Sequence, residues 1–176
     1  MVFLAGCDSG NRDLKDAMAF RDALLSAGSC SFRANITADY GDSIYSFAMD
    51  CQADSTGNLT FEIREPETLS GIRGTISASG GTIRFDETEL CFDLLADGQL
   101  SPAGSPWILL KTLRSGYLTS VCREENQLHI TVDDSYAEDA LTLDIWLEEG
   151  KVPIRADVLY GGKRILSLDV ENFVLS

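Results

Sequence analysis

Histidine occurs once in this chain, at position 129, and basic residues are scarce: 14 against 28 acidic ones, for a formal net charge of −14. His129 alternates with Leu128, Ile130 and Val132, so it shares a strand face with Thr131 and Asp133 and reads as a solvent-facing residue rather than half of an acid–base pair with Asp133. With one such histidine, a Ser/His/Asp relay has no credible member, and no catalytic residue is assigned. The acidic balance argues against a nucleic-acid backbone or anionic lipid headgroups as partners. No CxxC or other metal-type cysteine spacing occurs, so a zinc site is not expected. Asp54 and Glu65 stand eleven positions apart, like the ends of an EF-hand loop, but Leu59 fills the place that needs glycine. Glycines form neither GxGxxG nor a P-loop; they mark turns, and no cofactor is expected. Beyond the N-terminus there is no apolar run near the length of a membrane span.

What is present fits one domain with a real core: 176 residues, 44% hydrophobic and 24% charged. Its first informative stretch is Leu4-Ala5-Gly6-Cys7, which resembles the lipobox that bacterial lipoprotein signal peptidase cuts, and whose cysteine receives a diacylglycerol. Met1 to Gly6 supplies neither the basic region nor the apolar run of a working signal peptide, so residues 1–12 read as a signal-peptide remnant, a lipidation site and a tether. The polar Asp8-Ser9-Gly10-Asn11-Arg12 would span at most about 18 Å, at roughly 3.5 Å per extended residue. The alternative is a stray or buried N-terminal cysteine. On the lipobox reading the protein is lipid-anchored on the extracytoplasmic face of a bacterial membrane, where disulfides persist. Setting Cys7 aside leaves Cys30, Cys51, Cys91 and Cys122, an even number.

From Asp13 to Ala27, Leu14, Ala17, Met18, Phe20, Leu24 and Leu25 recur at helical spacing, with Asn11 or Asp13 as cap and Gly28 as stop. After Gly28 the period changes to two. Candidate strands are Cys30–Asp39, Ser43–Ala53, Leu59–Glu65, Gly71–Ala78, Thr82–Asp86, Glu89–Leu95, Tyr117–Arg123, Leu128–Asp133, Leu141–Glu148, Pro153–Tyr160 and Arg164–Val174, joined by short turns that call for an antiparallel meander. Between the sixth and seventh, Ser105-Pro106 opens a short helix through Trp107, Ile108, Leu109, Leu110 and Leu113 to Gly116, with Ser105 as cap. That helix is too apolar to lie on water and is expected to plug the concave face of the sheet.

Pairing about Tyr40-Gly41 sets Phe32 opposite Met49, Ala34 opposite Phe47 and Ile36 opposite Tyr45, leaving one face apolar. The same register sets Cys30 opposite Cys51; a disulfide there would close about twenty residues, associated with roughly 3 kcal/mol. Two buried free thiols are the alternative. Cys91 and Cys122 are the second candidate pair, although Cys91 shares a face with Glu89 and Asp93. Trp146 falls on the polar face of its strand, where a ring packed on a neighbouring side chain is expected over a binding hot spot.

This order of elements, with the helix Ser105-Pro-Trp-Ile-Leu-Leu-Lys-Thr-Leu113 and a closing stretch that runs Leu143-Asp-Ile-Trp-Leu147, Val152-Pro-Ile-Arg-Ala156 and Ile165 to Phe173, resembles the LolA-type lipoprotein-carrier fold. Within that group the chain looks most like lipid-anchored members of Gram-positive anaerobes, including spore-germination lipoproteins. The resemblance implies a mainly β (α+β) fold over residues 13–176: a strongly curved, incomplete antiparallel barrel, with an N-terminal helix and an inserted helix in its concave face. It also implies an apolar ligand there, an acyl chain, lipid or lipoprotein segment, against Phe32, Phe47, Met49, Phe61, Ile63, Phe92, Trp107, Leu143 and Ile145. A tethered protein cannot ferry cargo, which leaves a second reading: a structural or regulatory lipoprotein that docks a protein partner over a filled core.

Overall fold

A computed structural model describes residues 9–96, 99–137 and 140–176; Cys7 lies outside the described residues. The chain opens with α1 (Ser9–Ser26), followed by β1 (Ser29–Asp39), β2 (Ile44–Asp54), β3 (Leu59–Glu65), β4 (Arg73–Ser77), β5 (Gly80–Phe85) and β6 (Thr88–Phe92). A short pair, β7 (Leu95–Ala96) and β8 (Gln99–Leu100), leads into α2 (Ser105–Ser115). Then come β9 (Tyr117–Glu124), β10 (Gln127–Asp133), β11 (Leu141–Glu148), β12 (Val152–Tyr160) and β13 (Lys163–Leu175).

Eleven strands form one antiparallel sheet in the order β6-β5-β4-β3-β2-β1-β13-β12-β11-β10-β9. The first and last strands of the chain pair at its centre, and two meanders run out from them to β6 and β9, which remain edges. The sheet is not closed into a barrel. The link from one edge to the other carries α2, and α1 and α2 lie against the sheet and touch each other. The eleven expected strands are all present, with ends that differ from expectation by no more than three residues.

Alternation puts every second residue of the long strands into one apolar cluster, from Phe32, Ala34 and Ile36 on β1 to Leu166, Leu168 and Val170 on β13. From the helices this cluster receives Ala17, Phe20 and Leu24 of α1 and Ile108, Leu109, Leu110 and Leu113 of α2. Each Leu, Ile, Val or Phe among them contributes about 1.5–3 kcal/mol relative to exposure.

Four local expectations need correction. The residues read as tether, Ser9 to Arg12, form the first turn of α1, so Asn11 and Asp13 are inside the helix and do not cap it. Its buried stripe is Asp13, Ala17, Phe20 and Leu24, whereas Leu14, Met18 and Leu25 are exposed. The stripe is rotated because Asp13 turns inward to Arg123 of β9 at 3.0 Å, and Arg123 also holds Asp16 at 2.8 Å. Ser105 is the first residue of α2 rather than its cap, and its hydroxyl donates to the Pro102 carbonyl at 2.7 Å.

The fourth correction is the first hairpin. Its loop is Tyr40–Ser43, with Asp39 opposite Ile44, so Phe32 faces Cys51, Ala34 faces Met49 and Ile36 faces Phe47. A loop centred one residue later slides the partner by two positions, which preserves the apolar face and changes every pair. Cys30 therefore stands opposite Ala53, and the argument that placed it opposite Cys51 fails. Cys30, Cys51, Cys91 and Cys122 are all free thiols. Cys91 lies on β6 and Cys122 on β9, the two opposite edges of the sheet. In the next hairpin Met49 stands opposite Ile63 and Cys51 opposite Phe61.

Candidate functional site

Of the nine residues expected to line the concave face, Phe32, Met49, Phe61, Ile63, Leu143 and Ile145 belong to the buried cluster, and Phe47, Phe92 and Trp107 pack partly buried against it. One surface thus gathers all nine. Met49, Leu143 and Ile145 are 0% exposed, so no water-sized void touches them, and the interior is closed at that point. Its cover on one side is α2, which turns seven residues inward, among them Thr112, whose hydroxyl has no partner among the described residues.

Two side chains of α2 tie it to the turn between β2 and β3. Trp107 donates its indole N–H to the Gly57 carbonyl at 2.8 Å, and Arg114 donates to the Asp54 carbonyl at 3.1 Å. That turn is rigid for a local reason. Asp54 accepts from the Thr56 N–H (2.9 Å), the Thr56 hydroxyl (2.7 Å), the Asn58 N–H (3.0 Å) and the Asn58 amide (3.2 Å), while Gly57 supplies a φ of 90°. The Thr56 hydroxyl foremost, with the Asn58 and Thr56 N–H groups, outweighs desolvation and holds the Asp54 carboxyl down to about 2.

A cleft of ≈ 500 Å³ opens between this turn, the β4–β5 turn and α2, with Ala53, Trp107, Leu110 and Arg114 in its wall. Ala53 of β2 and Leu110 of α2 belong both to this wall and to the buried apolar cluster. A larger cleft of ≈ 850 Å³ lies mainly over polar residues of β2 to β6. Its arginines are already committed: Arg64 to Asp50 and Glu62, each at 2.6 Å, Arg73 to Glu62 at 3.1 Å, and Arg84 to Glu89. That cleft has no unbalanced charge to offer an anion.

Close backbone approach shapes the far wing. A Cβ on Gly74 would lie 2.4 Å from the Phe61 ring, and one on Gly81 2.2 Å from the Phe92 ring, because each glycine faces that aromatic across a strand pair. The two rings thus occupy the space that a side chain at either glycine would need.

On the outer face the structure departs from the reading of His129. Its side chain is 17% exposed rather than solvent-facing, and its partner is Asp144, 3.1 Å from Nε2, instead of Asp133, which accepts from Thr142. Trp146 stacks on the imidazole at 4.6 Å, with Arg155 5.0 Å from the indole centroid, so the half-buried tryptophan is packed against neighbours as expected. Burial pushes the Cys30 and Cys51 thiols up, leaving both poorly nucleophilic.

No family model and no curated protein matches the chain. Solved structures do match its backbone. A LolA superfamily protein from Nitrosomonas europaea aligns with a TM-score of 0.52 at 10% identity, covering 96% of this chain and 94% of that one. A DUF1329 family protein from Desulfovibrio piger gives 0.51 at 9% identity over 96% and 94%. A putative outer membrane lipoprotein-sorting protein domain from Vibrio parahaemolyticus gives 0.50 at 8% identity over 95% and 93%. At such identities the shared property is the path of the backbone, and by that path this chain has a LolA-like fold.

Proposed function

We propose that the protein is a membrane-anchored, extracytoplasmic binding protein that takes an apolar ligand, an acyl chain, lipid or lipoprotein segment, between the concave face of its half-barrel and α2. The observation that carries this reading is the seating of α2. It covers a continuous apolar surface, while two hydrogen bonds beside an open cleft fix its rim. With no ligand, α2 fills the space itself; with ligand, it moves aside as a lid.

Magnitudes select the ligand. Exposing Ile108, Leu109, Leu110 and Leu113 would cost roughly 6–12 kcal/mol, and an acyl chain regains about 0.8 kcal/mol per buried methylene. Chains of roughly 8–15 buried methylenes therefore offset the displacement, and short ones do not. The anchor in this proposal is Cys7, and a diacylglycerol there would hold the domain beside its lipid source.

A specific observation also favours the second reading, a structural or regulatory lipoprotein that docks a protein partner over a filled core. Zero exposure at Met49, Leu143 and Ile145 is what a permanently filled interior gives. Titration with a fluorescent long-chain fatty acid separates the two. Lid function requires saturable binding that Trp107→Ala alters at small cost in stability. A large loss of stability, with no ligand bound by either form, favours partner docking.

A further inference from the structure

The β9–β10 hairpin turns through Glu125 and Asn126, with Glu124 opposite Gln127 and Cys122 opposite His129. Residues two apart on a strand share a face, so Cys122 and Glu124 of β9 and His129 of β10 converge on the outer side of the sheet. Sγ of Cys122 lies 3.7 Å from Nδ1 of His129, Oε1 of Glu124 lies 3.1 Å from the same nitrogen, and the three ligand atoms all lie within 4.8 Å of one another. Around a tetrahedral zinc ion, with bonds of about 2.3 Å to sulfur and about 2.05 Å to nitrogen and oxygen, the expected separations are roughly 3.6 Å for S···N and roughly 3.3 Å for N···O. We propose that Cys122, Glu124 and His129 form a site for a divalent transition-metal ion of the zinc type, with the fourth position open to solvent.

The groups around these three residues are those that orient metal ligands. Asp144 accepts hydrogen bonds only, so at 3.1 Å it holds a proton on Nε2, while Nδ1 faces Cys122 and Glu124, where a metal ion would replace the proton that Nδ1 otherwise shares with Glu124. Asp144 is itself fixed by the Thr131 hydroxyl at 2.8 Å. Trp146 donates its indole N–H to Oε2 of Glu124 at 3.2 Å, leaving Oε1 for the ion, and its ring stacks within 2° of the imidazole plane. Thiolate, imidazole and carboxylate together suit zinc and its neighbours in the first row rather than calcium or magnesium. The site lies on the face opposite the apolar cluster and is independent of what occupies the concave side.

The test uses the reduced full chain with Co2+ as spectroscopic probe and Zn2+ in equilibrium dialysis. Expected are one ion per chain and a thiolate-to-cobalt charge-transfer absorption. Cys122→Ser should abolish the absorption and weaken Zn2+ binding by more than about tenfold, with Cys91→Ser unchanged. Asp144→Asn should weaken binding by roughly tenfold while keeping the absorption. Should Cys122→Ser fail to fold, Zn2+ must slow alkylation of Cys122 in the native chain by about tenfold relative to Cys91. No thiolate absorption in the native chain, its persistence in folded Cys122→Ser, or equal alkylation with and without Zn2+ would overturn the site and leave an imidazolium bridging Glu124 and Asp144.

Discussion

Trp107 reaches back fifty positions in the chain to give its indole N–H to the Gly57 carbonyl at 2.8 Å, pinning the start of α2 to the β2–β3 turn. Trp107→Phe keeps most of the ring and removes that bond, so it should lower stability by about 1 kcal/mol in urea denaturation. Hydrogen exchange gives the sharper readout. Amides of α2 should exchange faster in the variant while those of β1 and β2 keep their protection, the signature of a locally opening lid. A uniform change across the sheet would count against a separate opening of α2.

Asp54 builds the turn that holds both ends of α2. Its carboxyl lies at about 2 in the folded protein against an ordinary 3.8, so its contribution to stability is complete above that ordinary value and is lost as pH falls through about 2. Asp54→Asn should therefore melt below the native protein at about pH 5 and converge with it near about pH 2. A melting difference that stays constant over that range would show that the charge does not stabilise the turn.

Gly81 and Phe92 occupy one space: a Cβ on the glycine would sit 2.2 Å from the ring. Gly81→Ala should cost about 1–3 kcal/mol by displacing the ring. In a Phe92→Ala background the same change should cost much less, because the clash has gone. Additive losses in this double-mutant cycle would contradict the ring-on-glycine contact.

The strands and their inward faces were legible in the sequence, since alternation from Phe32 to Phe47 and from Leu141 to Leu147 needs only period two, but the pairing of the first strand with the last was not, because alternation marks faces and not partners. Register was less so. Tyr40-Gly41 and Tyr40–Ser43 serve equally well as turns, and a two-residue slide keeps the same side chains inside. The outer-face cluster has no signature along the chain, because Cys122 and His129 meet across a hairpin. Glu125-Asn126 between two alternating segments was the available signal, a two-residue turn that fixes the pairing. The rotation of α1 was not legible at all, because Asp13 is buried only by virtue of Arg123, which is 110 residues away.

The corrected register makes a chemical prediction about the cysteines. Under native, non-reducing conditions Cys91 and Cys122, both exposed, should alkylate readily, while Cys30 and Cys51 react only after denaturation, because burial closes access and raises their pKa values. Peptide mapping that recovers Cys30 linked to Cys51 would contradict this and return the hairpin to the earlier register.

Lipid mass spectrometry after denaturing extraction tests the lid proposal most directly, applied to full-length protein purified from membranes and to its Cys7→Ser form. A binding half-barrel should release long-chain lipid from its interior in both forms, at a stoichiometry near one per chain, beyond any acyl groups covalently attached at Cys7. Protein that releases no non-covalent lipid, and takes up none when incubated with vesicles, would contradict the ligand-binding function and leave α2 as a permanent part of the core.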